Sequence, residues 1–220
     1  MGPSTRVAIV EDESLMRTML EQTLAREEGV RVVHSAANVQ TARLVIAPGT
    51  CDVAILDVNL PDGNGVALGL QLQRRDPELA VMLLSSEDVM GLFASVQEQA
   101  TRPWSYLSKR SSFASDVLTR AVLASADGQV VIDPYLVERS TPRTGSAMAS
   151  LTRAQFAVLR LVAEGMSNQS AADELGIAER SVESHLQAVY QRLGIDSDGR
   201  NRRVAAVLAF LEQTGRTWRS

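Results

Sequence analysis

Short runs of apolar residues alternate with segments of helical periodicity over the first 125 residues of the chain. Continuous apolar runs are typical of strands in a parallel sheet whose two faces are both buried. Each run is followed by apolar residues at spacings of three and four, as in an amphipathic helix. We therefore predict five strands, at Val7–Val10, Val30–Ala36, Val53–Leu56, Val81–Leu84 and Tyr106–Leu107.

Five successive strand-helix units predict an α/β doubly wound fold, a five-stranded parallel sheet with helices on both faces. Ligands of such sheets bind beyond the carboxyl ends of the strands, so the residues that follow each strand are the candidates for chemistry. The predicted helices are Ser14–Arg26, Gln40–Ala47, Gly65–Arg75, Asp88–Gln99 and Phe113–Ala124.

The pattern changes after the fifth helix. Residues 126–150 are rich in glycine, proline, serine and threonine, and they predict a linker that can partly fold back. From residue 151 onward the apolar spacing is helical and predicts an all-α domain of four helices. We therefore divide the chain into a first domain of residues 1–125, a linker of residues 126–150 and a helical domain of residues 151–215.

Local signals mark the ends of the later helices. Thr152 and Gln155 form a capping-box pattern at the start of the first of them. Gly176 ends the second, and the third begins shortly afterwards, which is typical of a helix-turn-helix. The third and fourth helices are predicted at Glu179–Leu193 and Arg203–Gln213.

Composition excludes several classes of protein. A chain that is 45% apolar and 22% charged is neither fibrous nor disordered. It has no run of eighteen apolar residues and no signal-peptide layout, so we expect a cytoplasmic protein without a membrane partner. Its single cysteine, Cys51, excludes an internal disulfide and a multi-cysteine metal site. Residues 1–140 carry 18 acidic and 12 basic side chains, whereas residues 141–220 carry 8 acidic and 10 basic side chains. This uneven charge suggests that the two parts of the chain bind different partners.

Polar side chains follow four of the predicted strands. Glu11 and Asp12 follow the first, Asp57 the third, Ser85 the fourth and Lys109 the fifth. Crowded carboxylates favour a hard divalent cation such as Mg²⁺, and a metal lets one carboxylate act as a nucleophile towards a phosphoryl group. We predict that Asp57 is this nucleophile, and that Ser85 and Lys109 hold the phosphoryl oxygens.

The rarity of lysine supports a special position for Lys109. Of the 22 basic residues, only this one is a lysine, and all the others are arginine. A compact, flexible ammonium differs from a planar guanidinium in the contacts that it makes. The predicted site therefore requires lysine in particular.

Four stretches around these residues resemble the receiver domain of bacterial two-component response regulators, a flavodoxin-like fold: Val10–Asp12, Ile55–Gly65, Leu83–Ser86 and Tyr106–Lys109. The resemblance implies that a sensor histidine kinase phosphorylates Asp57. It also implies that Mg²⁺ is bound by Asp12 and Asp57, by Glu11 through water, and by the main-chain carbonyl of Asn59.

The same resemblance assigns a switch pair. The hydroxyl of Ser85 would move towards the phosphoryl group, and the ring of Tyr106 would swing into the space that this movement leaves.

The helical domain resembles the DNA-binding domain of the NarL/LuxR class of transcription regulators. The matching stretches are Leu151–Thr152, Val158–Asn168, Ala172–Ile177 and Arg180–Leu186. On the third helix, a separate stripe of apolar residues is predicted to face inward: Val182, Leu186, Val189 and Leu193. The opposite face is polar and suits a major groove.

Five residues of that helix are the predicted DNA contacts. We expect Gln187 to pair with adenine, Glu183 to accept from a cytosine amino group, and Ser184 to be permissive. Arg180 and Arg192 are expected at phosphates.

Further basic residues precede the last helix. Arg200, Arg202 and Arg203 either contact phosphates or solvate a loop. Because a weakly basic domain binds DNA poorly alone, we expect a homodimer, at least in the phosphorylated or DNA-bound state. The apolar stripe predicted to pair two subunits is Val204, Val207, Leu208 and Leu211.

We thus predict that the protein is a transcription factor controlled by phosphorylation. Its only chemical reactions would be its own phosphorylation and dephosphorylation at Asp57. One alternative is an orphan regulator whose receiver works without phosphate. A second is a phosphatase of the haloacid dehalogenase type, but that family needs an aspartate two residues after the nucleophile, where this chain has Asn59.

Overall fold

The computed structural model describes residues 4–87, 90–196 and 201–216. The chain divides into two compact units, which meet in sequence between Gly128 and Gln129. Among the described residues, no helix is both long and apolar enough to cross a lipid bilayer.

In the first unit, five strands of one parallel sheet alternate with five α-helices along the described residues. In chain order these are Thr5–Val10 (β1), Ser14–Ala25 (α1), Val30–Ala36 (β2), Val39–Val45 (α2), Val53–Asp57 (β3), Gly65–Arg75 (α3), Ala80–Ser85 (β4), Met90–Gln97 (α4), Ser105–Ser108 (β5) and Ser115–Ala126 (α5). The strand order is β2-β1-β3-β4-β5. The predicted doubly wound fold is therefore confirmed.

The strands form because their apolar side chains are buried on both sides of the sheet. Every residue of the central strand β3 is buried, as is every residue of β4. β3 pairs with β1 and β4, and Asp57 lies opposite Leu84 at the end of the β3–β4 pairing. This register brings the carboxyl ends of the central strands to one edge of the sheet.

The segment between β3 and α3 is a short antiparallel hairpin that is tied to two helices. The side-chain oxygen of Asn64 accepts the main-chain N–H of Val66 at 2.7 Å and so caps α3. The carboxylate of Asp62 accepts the main-chain N–H groups of Val39 and Gln40, at 2.8 and 2.9 Å, at the start of α2. These two bonds lower the pKa of Asp62.

The second unit is mainly helical. Its elements are Pro134–Glu138 (α6), Ser140–Pro142 (β6), Arg153–Ala163 (α7), Asn168–Leu175 (α8), Glu179–Arg192 (α9), Arg202–Gln213 (α10) and Thr214–Arg216 (β7), with a 3-10 turn at Ala147–Ser150. Thr152 and Gln155 make the predicted capping box, and Gly176 ends α8 with a left-handed φ of 64°. The predicted helix-turn-helix is therefore present in α8 and α9.

Most of the segment 126–150, which was predicted as a linker, is packed into the second unit. Val130, Val131 and Ile132 are buried, and the main-chain N–H of Ile132 donates to the carbonyl of Ala163 at 2.7 Å. Strands β6 and β7 pair in antiparallel fashion, so residues 140–142 are held against the chain that follows α10. The helical periodicity that guided the sequence prediction is absent from such short, irregular elements.

The residues of the predicted dimer stripe on the last helix differ in their burial. Val204 and Val207 are buried within the unit, and Phe210 beside them stacks on Phe156 with ring centroids 5.8 Å apart. Leu208 remains partly exposed. Val204 and Val207 therefore stabilise the fold of one chain and are not available to a partner.

We predict that a fragment of residues 129–220 folds cooperatively, whereas a fragment of residues 151–220 is markedly less stable. The shorter fragment loses the buried residues of 130–132, together with Leu136, Val137 and Met148. Burial of a single large aliphatic side chain contributes about 1.5–3 kcal/mol, so the free energies of unfolding should differ by more than about 3 kcal/mol. Urea titrations followed by circular dichroism measure this difference. Equal stability of the two fragments would contradict it.

Candidate functional site

Three carboxylates meet at the carboxyl edge of the sheet. Glu11 and Asp12 follow β1, and Asp57 ends β3. Glu11 and Asp57 are buried, Asp12 is exposed, and one oxygen of each lies within 4.8 Å of the others. The cluster that the sequence predicted is thus assembled in the first unit.

The ammonium of Lys109 joins two members of this cluster. Its Nζ lies 2.7 Å from Oε1 of Glu11 and 2.8 Å from Oδ2 of Asp57. Burial alone would lower the pKa of the Lys109 ammonium, but its hydrogen bonds with Asp57 and Glu11 outweigh burial and raise it. Burial raises the pKa of the Glu11 carboxyl, although the hydrogen bond with Lys109 acts in the opposite direction. Lys109 is therefore held as a cation beside the predicted nucleophile.

The donor set suits a hard divalent cation. Glu11 uses Oε1 to accept from Lys109 and from the main-chain N–H of Glu13, at 2.7 and 3.1 Å. Its Oε2 is buried and has no hydrogen-bond partner among the described residues. A buried carboxylate oxygen without a partner is costly, and a metal ion or its bound water would satisfy it.

A close approach of two backbone segments positions Asp57. The main-chain N–H of Gly65 donates to the carbonyl of Val58 at 3.0 Å. A Cβ atom on Gly65 would lie 1.9 Å from the main-chain oxygen of Asp57. On the other side, the main-chain N–H of Asn59 donates to Oδ1 of Asp57 at 3.1 Å. Only glycine fits at position 65, and this role is not visible in the sequence pattern.

Ser85 and Tyr106 are both connected to the main chain of Glu87. Oγ of the fully buried Ser85 accepts the N–H of Glu87 at 3.1 Å. The hydroxyl of Tyr106 donates to the carbonyl of Glu87 at 3.0 Å, and its buried ring lies 5.7 Å from the ring of Phe93. The sequence did not reveal that one residue contacts both members of the predicted switch pair.

Next to this pair, Trp104 packs into a space that glycine provides. A Cβ on Gly69 of α3 would lie 2.6 Å from the indole ring. The indole N–H donates to Oε1 of Gln73 at 2.7 Å. The main-chain N–H and carbonyl of Trp104 both bond to the side chain of Gln97, at 3.0 and 3.1 Å. Polar side chains of α3 and α4 thus fix the chain where it enters β5.

The predicted DNA-contacting residues lie on one helix of the second unit, and all are exposed: Arg180, Glu183, Ser184, Gln187 and Arg192. Val182, Leu186 and Val189 are buried as predicted, and Leu193 is partly buried. Tyr190 is buried as well and was not expected in the stripe.

Several of these side chains already make contacts within the unit. The hydroxyl of Ser184 donates to the carbonyl of Arg180 at 2.9 Å. Arg192 donates to the carbonyl of Ser150 at 2.8 Å, and Gln187 accepts from Arg202 at 3.2 Å.

Of the three arginines predicted to precede the last helix, Arg202 and Arg203 lie in the first turn of α10. Arg203 donates to Asn168 at 2.9 Å and also to the carbonyl of Met166. Arg200 lies outside the described residues.

Comparison with known proteins identifies both units. Residues 7–122 match the family model of the response regulator receiver domain, and residues 149–209 match that of the bacterial regulatory proteins of the luxR family. The chain belongs to the response regulators: it is a two-component transcription factor with a receiver domain and a DNA-binding helix-turn-helix domain.

Within that family the chain is similar to regulators of the NarL/LuxR class. It is 31% identical over 216 residues to the nitrate/nitrite response regulator protein NarP of Escherichia coli K12, with 96% of each chain covered. It is 27% identical to the DNA-binding transcriptional activator DevR/DosR of Mycobacterium tuberculosis, with 93% of each covered.

Solved structures support the same fold. The response regulator ChrA of a heme-sensing two-component system matches with a TM-score of 0.50 and 26% identity, over 94% of this chain and 96% of that one. RcsB of Salmonella typhimurium matches with a TM-score of 0.53 and 21% identity, over 96% and 99%.

We predict that Gly65→Ala destabilises the first unit and displaces Asp57, because the new methyl group would overlap the main-chain oxygen of Asp57. The free energy of unfolding should fall by at least about 2 kcal/mol. Gly91→Ala in α4 is the matched control, since a Cβ there meets nothing within 4 Å. It should leave stability unchanged or raise it by up to about 1 kcal/mol. Thermal and urea unfolding of both variants test the prediction, which fails if they behave alike.

Proposed function

We propose that a sensor histidine kinase phosphorylates Asp57 in the presence of Mg²⁺, and that phosphorylation modulates homodimerisation and sequence-specific binding to double-stranded DNA. The observation that carries this proposal is the pair of short contacts from Lys109 to Asp57 and Glu11, inside a cluster of three carboxylates. The proposed role places the protein in the cytoplasm.

The residues proposed to hold Mg²⁺ are Asp12 and Asp57 directly, Glu11 through water, and Asn59 through its main-chain carbonyl. The buried Oε2 of Glu11, which has no hydrogen-bond partner in the described part of the chain, supports this assignment. When bound, the ion would offset the negative charge of the carboxylates and of the phosphoryl oxygens.

In the transfer, a carboxylate oxygen of Asp57 attacks the phosphorus of a phosphohistidine on the kinase. The phosphorus–oxygen bond forms as the phosphorus–nitrogen bond breaks, and the electron pair stays on the imidazole. The arriving phosphoryl group adds negative charge where Lys109 already lies 2.8 Å from Asp57. The Lys109 ammonium can exchange its contact with Asp57 for a contact with a phosphoryl oxygen. A compact ammonium on a flexible side chain makes this exchange more readily than the planar guanidinium of an arginine.

Ser85 and Tyr106 are proposed as the switch that carries the change away from Asp57. If the hydroxyl of Ser85 turns towards a phosphoryl oxygen, it gives up its bond to the N–H of Glu87. The carbonyl of the same Glu87 accepts from Tyr106, so the two movements share one peptide segment. Ser85 and Tyr106 are therefore connected through the main chain of Glu87.

For DNA, we propose that Gln187, Glu183 and Ser184 face base edges and that Arg180 and Arg192 face phosphates. All five are exposed on α9, the second helix of the helix-turn-helix. A homodimer would double the contacts of a weakly charged domain on paired half-sites.

We predict that Lys109→Arg reduces the response to a phosphate mimic by about tenfold even though the charge is kept. The arginine fork cannot occupy the place of an ammonium that contacts two carboxylates at 2.7 and 2.8 Å. Sedimentation velocity and DNA-binding titrations, each with Mg²⁺ and beryllium fluoride, measure the response.

Two controls separate this proposal from the orphan alternative. Asp57→Ala should abolish the response. Arg110→Lys, at the position directly after Lys109, should leave the response unchanged. If wild type does not respond, or if Asp57→Ala responds equally, the receiver works without phosphate. A fully responsive Lys109→Arg protein would remove the requirement for lysine.

A further inference from the structure

An open cavity of about 520 Å³ separates α9 from the start of α10. Its lining includes Gln187 from α9 and Arg202 from α10. The side-chain oxygen of Asn201 accepts the N–H groups of Arg203 and Val204, at 3.0 and 3.5 Å, and so caps α10. The cap determines where α10 begins, and with it the position of Arg202.

Arg203 fixes the same end of the helix from the inside. Its guanidinium donates to the side chain of Asn168 and to the carbonyl of Met166, at the start of α8. Burial lowers the pKa of Arg203, an effect that the tyrosinate of Tyr190 would oppose. Since Arg203 is used in packing, Arg202 is the described arginine at this helix start that faces α9.

Two contacts hold the side chain of Arg202 against α9, one with an exposed residue and one with a buried residue. Its Nη1 donates to Oε1 of Gln187 at 3.2 Å. Its guanidinium carbon lies 5.0 Å from the ring centroid of Tyr190, a cation–π distance. Tyr190 is three residues beyond Gln187 and therefore adjacent to it on the helix surface.

The contact with Gln187 has a definite polarity. A guanidinium carries donors only, so the atom of the Gln187 amide that faces it is the oxygen. The amide nitrogen, with its two hydrogens, then points elsewhere. Bidentate pairing with adenine needs the amide oxygen at N6 and the amide nitrogen at N7. To make that pair, the Gln187 oxygen, which has two lone pairs, would have to accept from Arg202 and from adenine N6 at once, or release Arg202.

We propose that Arg202 is a specificity-determining positioning residue: it holds the oxygen of Gln187, so that the pair presents donors and selects guanine over adenine. Guanine offers two acceptors on its major-groove edge, whereas adenine offers one acceptor and one donor. This inference rests on the proposed sequence-specific DNA binding. It replaces the expectation that Gln187 pairs with adenine.

The test is selection from a random double-stranded DNA pool with the full-length chain, Mg²⁺ and beryllium fluoride. Wild type should prefer guanine over adenine about tenfold at one position of each half-site. Gln187→Ala identifies that position, because the preference there should disappear. Arg202→Ala should lower the preference by about tenfold, since the freed amide can then pair with adenine.

Three further variants make the result specific. Arg202→Lys can still donate to Gln187 and should keep the preference for guanine. Arg192→Ala, which removes an exposed arginine from the same helix, should weaken binding to all sequences alike. The double variant of Arg202 and Gln187 should match Gln187→Ala, because the two residues act as a unit.

The outcomes are distinct. An unchanged preference in Arg202→Ala, with wild-type thermal unfolding, overturns the role of Arg202. Selection of adenine by wild type at the position identified with Gln187→Ala also overturns it. If wild type enriches no sequence at all, the proposed DNA binding itself fails, and this inference with it.

Discussion

The contact of Lys109 with Glu11 and Asp57 is the interaction on which the arrangement of the first unit's site depends. It joins the ends of β5, β1 and β3, residues that are 98 and 52 positions apart in the chain. Two buried carboxylates beside each other would repel and lose hydration, and one of them would be protonated unless a cation compensated them. The ammonium supplies this compensation before any phosphoryl group arrives. It also leaves Oε2 of Glu11 without a partner among the residues that the structure describes, so the site retains a place for a further positive charge.

A second constraint is geometric and comes from the main chain after β3. Gly65 brings the start of α3 against the carbonyl of Asp57, and Asp62 ties the intervening hairpin to the start of α2. The carboxylate at position 57 is therefore held by backbone contacts on one side and by Lys109 on the other. Phosphorylation would disturb the contact with Lys109 while the backbone contacts remain. Such a division lets charge change at the site without loss of the fold around it.

Much of the first unit was predictable because burial on both faces of a parallel sheet leaves continuous apolar runs, and the strand ends then locate the acidic cluster. The packing of residues 126–150 into the second unit was not predictable in this way. Val130, Val131 and Ile132 are buried, and the N–H of Ile132 donates to the last residue of α7, but a segment of three residues shows no periodic pattern. The apolar stripe on α10 had the correct helical period. A period does not indicate, however, whether the stripe packs within its own unit or against a second subunit. Val204 and Val207 are covered by their own unit.

Nearly all basic residues of this chain are arginine, so residue type alone does not reveal what each one does. The two adjacent arginines of α10 illustrate this. Arg203 donates to the main chain of Met166 and to the side chain of Asn168, and so ties the start of α10 to the start of α8. Arg202, one residue earlier, lies over Tyr190 and orients Gln187. A helix turns by about 100° per residue, so neighbouring side chains point to different surroundings. The role of each guanidinium follows from the acceptors around it. A main-chain carbonyl makes Arg203 structural, whereas Arg202 meets a side-chain amide on α9 and, in the proposed DNA complex, influences which base that amide can read.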